Sequence, residues 1–317
     1  SLVGSEMCIR DRLEQEMQAL ESIGAKAEFA ENLPLPFPTV GAVKFPHQAQ
    51  FHPLKFLSAI ADELTIYENT PVRRLEKGAA VTDRGVIRAD AFVVATHFPF
   101  LNKHGSYFLK LYQQRSYVLA LENAPALRGM YLDEQENGLS FREYDGRLIL
   151  GGGGHRTGHE GGGWNALEQF AKTHYPDARI THRWAAQDCM SLDGVPYIGR
   201  YSAMTPNLYV ASGFNKWGMT TSMVAARLLT DIITGKKSPY EAVFSPSRSM
   251  LHAQLGVNAV EAGKNLLTVS PRRCSHLGCA LKWNPQERSW DCPCHGSRFE
   301  ENGRLIDNPA TKNLRSH

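Results

Sequence analysis

Residues 207–220 read Asn-Leu-Tyr-Val-Ala-Ser-Gly-Phe-Asn-Lys-Trp-Gly-Met-Thr, an apolar run followed by a glycine turn. Residues 208–211 fit a buried strand, and 219–234 fit a helix with Val224, Ala225, Leu228, Leu229 and Ile232 on its apolar side. Gly235 stands where a glycine closes a helix. Strand, turn and helix start in that order aim backbone N–H groups and the positive helix end at an anionic or electron-rich ligand. Gly213 and Gly218, lacking side chains, let such a ligand approach closely.

Working outward, residues 13–23 and 53–64 are spaced as amphipathic helices, and 165–174 and much of 251–267 also read as helical. Short strands are expected at 66–67, 72–75, 85–87 and 92–95, and an antiparallel sheet from 117–121, 130–132, 139–143 and 148–150. Pro239, Pro246 and the serines at 245, 247 and 249 mark a domain boundary. Residues 1–12 carry no apolar period that fits the helical spacing of 13–23, and they resemble a translated sequencing adaptor. They are expected to be a non-native tail, with 13–245 and 246–317 as the two domains and the chain as a fragment of a longer protein. The expected class is α+β, derived from α/β.

Composition removes several functions. Hydrophobic residues make up 42% of the 317 and charged residues 21%, the proportions of a globular protein. A net charge of +3 without a basic run gives no reason to expect a nucleic-acid partner. The longest mostly apolar stretch, 91–101, is too short to cross a bilayer and contains His97 and Pro99. A cytoplasmic protein is expected.

Four of the six cysteines crowd into residues 274–294, in Cys274-Ser-His-Leu-Gly-Cys279 and Cys292-Pro-Cys-His-Gly-Ser297. A disulfide framework would spread its cysteines and leaves His276 and His295 without a role. A zinc site of two cysteines and two histidines is the other alternative, but zinc modules space their ligands differently. Each loop offers one thiolate and one imidazole, and neutral imidazoles leave a cluster less negative than thiolates do, which favours its reduced state.

The pattern resembles the Rieske family, in which two histidines replace two cysteines on one iron of a [2Fe-2S] cluster. The resemblance implies Cys274 and Cys292 on one iron, His276 and His295 on the other, and a disulfide between Cys279 and Cys294. It implies that the Ser297 hydroxyl reaches a cluster sulfide. High-potential members carry a tyrosine where this chain has Phe299, so a potential below that of respiratory Rieske proteins is expected. Asn308-Pro309-Ala310 is similar to the loop that covers the cluster, while the base sheet is expected to be shortened.

The stretch 193–235 resembles the C-terminal motif of the D-amino-acid oxidase and glycine oxidase superfamily of FAD enzymes. Pro46-His-Gln-Ala-Gln-Phe-His-Pro53, Val72 and Val93-Val-Ala-Thr96 are similar to other parts of it. The resemblance implies FAD contacts at Val72, Ala95, Thr96, Gly213, Phe214, Trp217, Gly218, Met219 and Thr220, with Lys216 beside the flavin edge. The superfamily's first strand and G-x-G-x-x-G turn are absent. Gly161-x-Gly163-x-x-Ala166 is a near match that reads as a structural loop.

Other residues carry weaker signals. His155 and His159 are expected in a glycine-rich loop without metal, which argues against a ring-hydroxylating oxygenase with its second iron. Arg115 and Tyr117, on a strand of the substrate domain, can hold a substrate carboxylate, although surface arginines are commoner. Cys189 reads as a packed or surface thiol, and His52 and His97 as polar contacts near the cofactor.

The expected whole is a partial FAD-binding Rossmann-like domain with an antiparallel substrate sheet, joined to a small, mostly β Rieske module. Its expected activity is FAD-dependent oxidation of a small amine, amino acid or hydroxy acid, with electrons passing through the cluster to a small protein or quinone. Two alternatives remain: a non-enzymatic Rieske carrier with a vestigial flavin fold, and a Rieske subunit of a membrane complex with an anchor upstream.

Overall fold

The computed structural model describes residues 2–101, 104–135 and 138–315. Its largest unit is a five-stranded antiparallel sheet, with strands in the order Arg179–Ser191, Leu111–Glu122, Arg147–Arg156, Ser140–Tyr144 and Tyr131–Leu132. Alternation along the second strand turns Tyr117, Leu119 and Leu121 onto one face, where they are fully buried against Leu167 and Ala171 of the helix Gly163–His174. Burying each such leucine contributes about 1.5–3 kcal/mol.

The strand Arg179–Ser191 is absent from the sequence expectations because its first half, Arg-Ile-Thr-His-Arg-Trp, lacks a strand's apolar alternation. It lies at a sheet edge, where polar residues face water, and pairs with the whole of Leu111–Glu122. A second difference concerns residues 151–156, expected in a loop. They belong to the strand Arg147–Arg156, whose glycines accommodate a bulge between Gly152 and His155. His155 is therefore a strand residue.

A second sheet has Leu208–Ser212 in its centre, antiparallel to Tyr197–Arg200 and parallel to Phe92–Val94. The helix Gly218–Ile233 covers it, packing Ala225, Leu228, Leu229 and Ile232 on Ile198, Tyr209 and Ala211. Val72–Glu76, Ala79–Thr82 and Gly85–Arg88 form a separate three-stranded sheet, and Glu28–Ala30 pairs with Ala42–Lys44. Residues 66–67 form no strand, and Ile66 and Tyr67 are exposed. One helix, Leu2–Ser22, runs through residue 12 without a break. Among the described residues no helix is long and apolar enough to cross a membrane.

The C-terminal part opens with the helix Ala253–Leu267. A four-stranded antiparallel meander follows, Lys282–Asn284, Ser289–Asp291, Arg298–Glu300 and Leu305–Asp307. Its core holds Cys274, Cys279, Cys292, Cys294 and Phe299. The module is small, so its cysteine-bearing loops make up much of its interior.

Candidate functional site

The two cysteine loops are built alike. In the first, Cys274 N–H donates to Cys279 O at 2.9 Å and Gly278 N–H to Cys274 O at 3.0 Å. In the second, Cys292 N–H donates to Ser297 O and Gly296 N–H to Cys292 O, both at 2.9 Å. Gly278 and Gly296 hold the same position in each loop, at φ of 80° and 82°, a conformation that favours glycine. Gly296 serves a second purpose: a Cβ there would lie 2.6 Å from the Gln113 side chain.

These loops bring the expected ligands together in pairs, Cys274 with Cys292 and His276 with His295. All four thiols are buried, and the Sγ atoms of Cys279, Cys292 and Cys294 lie within 4.8 Å of one another. Hydrogen bonding with Cys292, then burial, pushes the Cys274 thiol up. The rings of His276 and His295 are 5.0 Å apart and nearly perpendicular. Burial lowers His276 to about 4, and burial with the neighbouring His276 lowers His295 to about 3. Both imidazoles are therefore neutral near pH 7, the state in which a ring nitrogen can bind metal. The His295 ring bonds to the Phe108 backbone, while its buried Nδ1 has no hydrogen-bond partner among the described residues. A fixed ring, a buried lone pair and adjacent thiols suit an iron–sulfur cluster.

The expected disulfide is not formed. Cys279 and Cys294 are free thiols that hydrogen-bond to each other and to Cys292. Those bonds favour the thiolate at Cys279 and the thiol at Cys294. Ser297 bonds to Cys274 Sγ, which favours the thiolate, and its oxygen accepts from Ala310 N–H at 2.9 Å. Phe299 is fully buried among the cysteines.

Protein stripped of iron should lose stability in acid. Below about pH 6.5 the unfolded chain protonates both histidines, while the folded chain resists down to about 4 and 3. Stability is therefore lost as pH falls through that window. Denaturant titrations between pH 7 and 4 should show the loss, with a shallower slope in His295→Gln.

The cluster loops rest on the remainder of the protein. Gln113 Nε2 donates to His295 O at 2.8 Å, and Gln187 Nε2 to Gly296 O at 2.9 Å. Arg156 Nε donates to Pro293 O at 3.2 Å. Asn308 Nδ2 reaches Thr96 O at 2.5 Å and Phe98 O at 3.1 Å. Phe98 and Phe108 present ring edges to His295, with centroids 6.0 and 6.3 Å away.

Arg115 differs from expectation. Its guanidinium forms a buried ion pair with Glu287, so it is taken by a protein carboxylate rather than held ready for a substrate's. Arg298 binds the same carboxylate at 2.7 Å, and Tyr117 donates to it at 3.1 Å. Burial opposes ionisation of Glu287, but the two guanidiniums outweigh it and hold the carboxyl below its ordinary range. Tyr117 also contacts His155 Nε2 at 3.0 Å, and His159 contacts Glu261. Sequence reasoning missed Glu287, Gln113, Gln187, Phe98 and Phe108. One signal was available: Gln113-Gln114 beside Arg115 puts polar residues at the start of a core strand, which marks a surface that something polar covers.

The second candidate region lies at the ends of two parallel strands. Val210 pairs with Val94, which sets Ala95 and Thr96 beside the end of Leu208–Ser212, and Ser212 Oγ donates to His97 O at 2.5 Å. The turn Gly213, Phe214, Trp217 then enters the helix at Gly218, Met219 and Thr220. Thr96, Trp217, Gly218 and Thr220 are exposed, and a Cβ at Gly218 would meet nothing within 4 Å. Such strand ends are where open α/β sheets bind ligands, and this open helix start fits an anionic or electron-rich one. Val72 lies on the separate three-stranded sheet, whose Leu75 packs against the cluster of Val94 and Phe98. Cys189 is buried, its thiol pushed up to about 12 by burial. His52 caps the helix Pro53–Ala61. At the near-match Gly161-x-Gly163, the Trp164 N–H binds the Gln286 side chain, so that helix start is used structurally.

Residues 6–232 match the FAD dependent oxidoreductase family (DAO), and residues 246–317 match the Rieske [2Fe-2S] domain. A Bacillus subtilis protein named for a Rieske 2Fe-2S iron–sulfur centre, YhfW, is 32% identical over 367 residues, covering 96% of this chain and 71% of that protein. The chloroplastic cytochrome b6-f complex iron–sulfur subunit of Oryza sativa is 45% identical over 56 residues, 17% of this chain and 25% of that one. Glycine oxidase from Geobacillus kaustophilus superposes with a TM-score of 0.65 at 23% identity, covering 76% of this chain and 72% of that one. L-proline dehydrogenase from P. horikoshii gives 0.61 at 17%, covering 74% and 72%.

Proposed function

Because the chain belongs to the FAD-dependent oxidoreductase family and carries a Rieske domain at residues 246–317, we propose that it is a dehydrogenase whose electrons leave through the cluster. The substrate class proposed is a small amine, amino acid or hydroxy acid, whose C–H beside nitrogen or oxygen can be oxidised. Bound FAD supplies two-electron chemistry and the [2Fe-2S] cluster one-electron chemistry.

The residues divide the remaining work. Cys274 and Cys292 hold one iron, and the neutral rings of His276 and His295 hold the other. The Phe108 contact fixes the His295 ring, and the Ser297 hydroxyl stabilises negative charge on Cys274 sulfur. At the flavin, the start of the helix Gly218–Ile233 offers backbone N–H groups to the ring, while Ala95, Thr96, Gly213, Phe214 and Trp217 line the approach and Val72 contributes from the neighbouring sheet.

One observation carries this reading: Asn308, in the loop beside the cysteine cluster, is bonded to Thr96 and Phe98, the segment at the strand end proposed to meet the flavin. A flavin at that strand end and a cluster in those loops would be separated by a short stretch of packed protein, which supports electron exchange between them. Anaerobic mixing of flavin- and iron-loaded protein with amines, amino acids and hydroxy acids tests it. The expected result is bleaching of the flavin followed by the EPR signal of a reduced Rieske centre. Bleaching that leaves the cluster oxidised, with the flavin reoxidised only once oxygen is admitted, would refute the relay, and protein that takes up iron but never flavin would favour a plain electron carrier.

A further inference from the structure

The two cluster imidazoles meet different surroundings. His295 is 2% exposed. Its ring is held by Phe98, Phe108 and the Phe108 backbone, and its own carbonyl by Gln113. Phe98 shares a buried cluster with Val94 and Leu111, so packed protein runs unbroken from the parallel strand end to this ring. His276 is only half-buried, and Ser275 and Leu277 beside it are exposed.

The exposed side is also basic. Arg273 binds Leu266 O at 3.2 Å, Thr268 O at 2.8 Å and Gly278 O at 2.8 Å, and Ser275 Oγ donates to the Lys312 backbone O at 2.6 Å, so both basic residues lie on the side of this loop. Neither has an ion-pair partner among the described residues. Residues 246–317 hold ten Lys and Arg against six Asp and Glu. Three of the six, Glu287, Asp291 and Asp307, are committed to Arg298.

The geometry points to a fixed division between the imidazoles: electrons arrive on the His295 side from the flavin domain and leave across the His276–Leu277 face to a one-electron carrier protein with an acidic docking surface. This rests on the flavin-to-cluster reading above. Oxidation of one substrate molecule releases two electrons and two protons. The electrons leave singly, so two oxidised carriers are each reduced once, and both protons pass to solvent. Leu277 supplies a small apolar centre and the cations a charged rim, an arrangement suited to brief docking steered by charge.

Flavin- and iron-loaded protein tests the two faces separately by stopped flow. Dithionite-reduced protein is mixed with ferricyanide, an anion, or with tris(phenanthroline)cobalt(III), a cation. In Lys312→Glu, oxidation by ferricyanide should slow severalfold and oxidation by the cobalt complex should quicken, as expected when steering is weakened. Substrate-driven reduction of the cluster should stay unchanged in that variant. Gln113→Ala and the milder Phe98→Leu should slow substrate-driven reduction by about tenfold or more, as loosened geometry does. They should slow ferricyanide oxidation far less than substrate-driven reduction, with a Rieske-type EPR signal retained.

A measurement free of turnover is power saturation of the reduced-cluster EPR signal with tris(oxalato)chromate(III). This relaxing anion should act less strongly in Lys312→Glu. Equal behaviour of the two acceptors, or entry variants that slow both steps alike, would overturn the division. Faster, salt-independent oxidation by decylubiquinone would overturn the acidic carrier. Failure of wild-type flavin to reduce the cluster would instead refute the relay, because the dithionite arm reads the exit face without it.

Discussion

Glu287→Gln is expected to destabilise the protein by about 3–5 kcal/mol, the usual cost of breaking a buried pair from one side. Arg115 and Arg298 keep 3% and 7% side-chain exposure around a carboxylate that is itself 8% exposed. Removing the negative charge leaves Arg115 without an ionic partner in a place water does not reach. Arg298 retains Asp291 and Asp307 at 3.1 Å, so the larger share of the loss falls on Arg115. Glu301→Gln is the control: its partner Arg288 is 74% exposed, and the change should cost less than about 1 kcal/mol. Denaturant midpoints at constant m-value read the difference. A double change of Arg115 and Glu287 to apolar residues of similar volume should recover most of the loss, because no charge is then stranded. In the unaltered protein the contribution is present above the ordinary glutamate range, since the folded carboxyl is held low, and it is lost as pH falls through that lowered value.

Ser297→Ala should lower the cluster's reduction potential and weaken the module together. A donor on Cys274 sulfur matters more when the cluster carries the extra negative charge of the reduced state. If about 1 kcal/mol of that bond is specific to the reduced state, its loss shifts a one-electron potential by about 40 mV downward. The Ala310 N–H, which Ser297 accepts at 2.9 Å, is also left unpaired in the interior, at a cost of about 1–3 kcal/mol. Phe299→Tyr should shift the potential the other way, because the buried ring lies among the cysteines and a hydroxyl there adds a donor. EPR-monitored redox titration of the three proteins reads both signs. A potential that rises in Ser297→Ala, or stays level in both variants, would show that these groups do not tune the centre.

The iron-binding loops were the most legible part of the chain, for a local reason. Loop shape depends on residues within one turn of each other, and Gly278 and Gly296 close two six-residue turns with the same hydrogen bonds. The strand, turn and helix at 208–233 were legible for the same reason, since apolar spacing alone separates the two elements. The edge strand Arg179–Ser191 was not, because its partner, and not its own composition, makes it a strand.

By itself the sequence determined which chemistry the protein carries: thiols and imidazoles at fixed spacing, and a glycine turn leading into a helix. Only the tertiary structure decided how the two parts face each other. Glu287 lies 172 residues from Arg115, and Asn308 lies 212 from Thr96. Nothing in either neighbourhood encodes such a pairing, because a buried charge looks the same in sequence as a solvated one. Its partner is fixed only when the chain closes and burial makes leaving it unpaired costly.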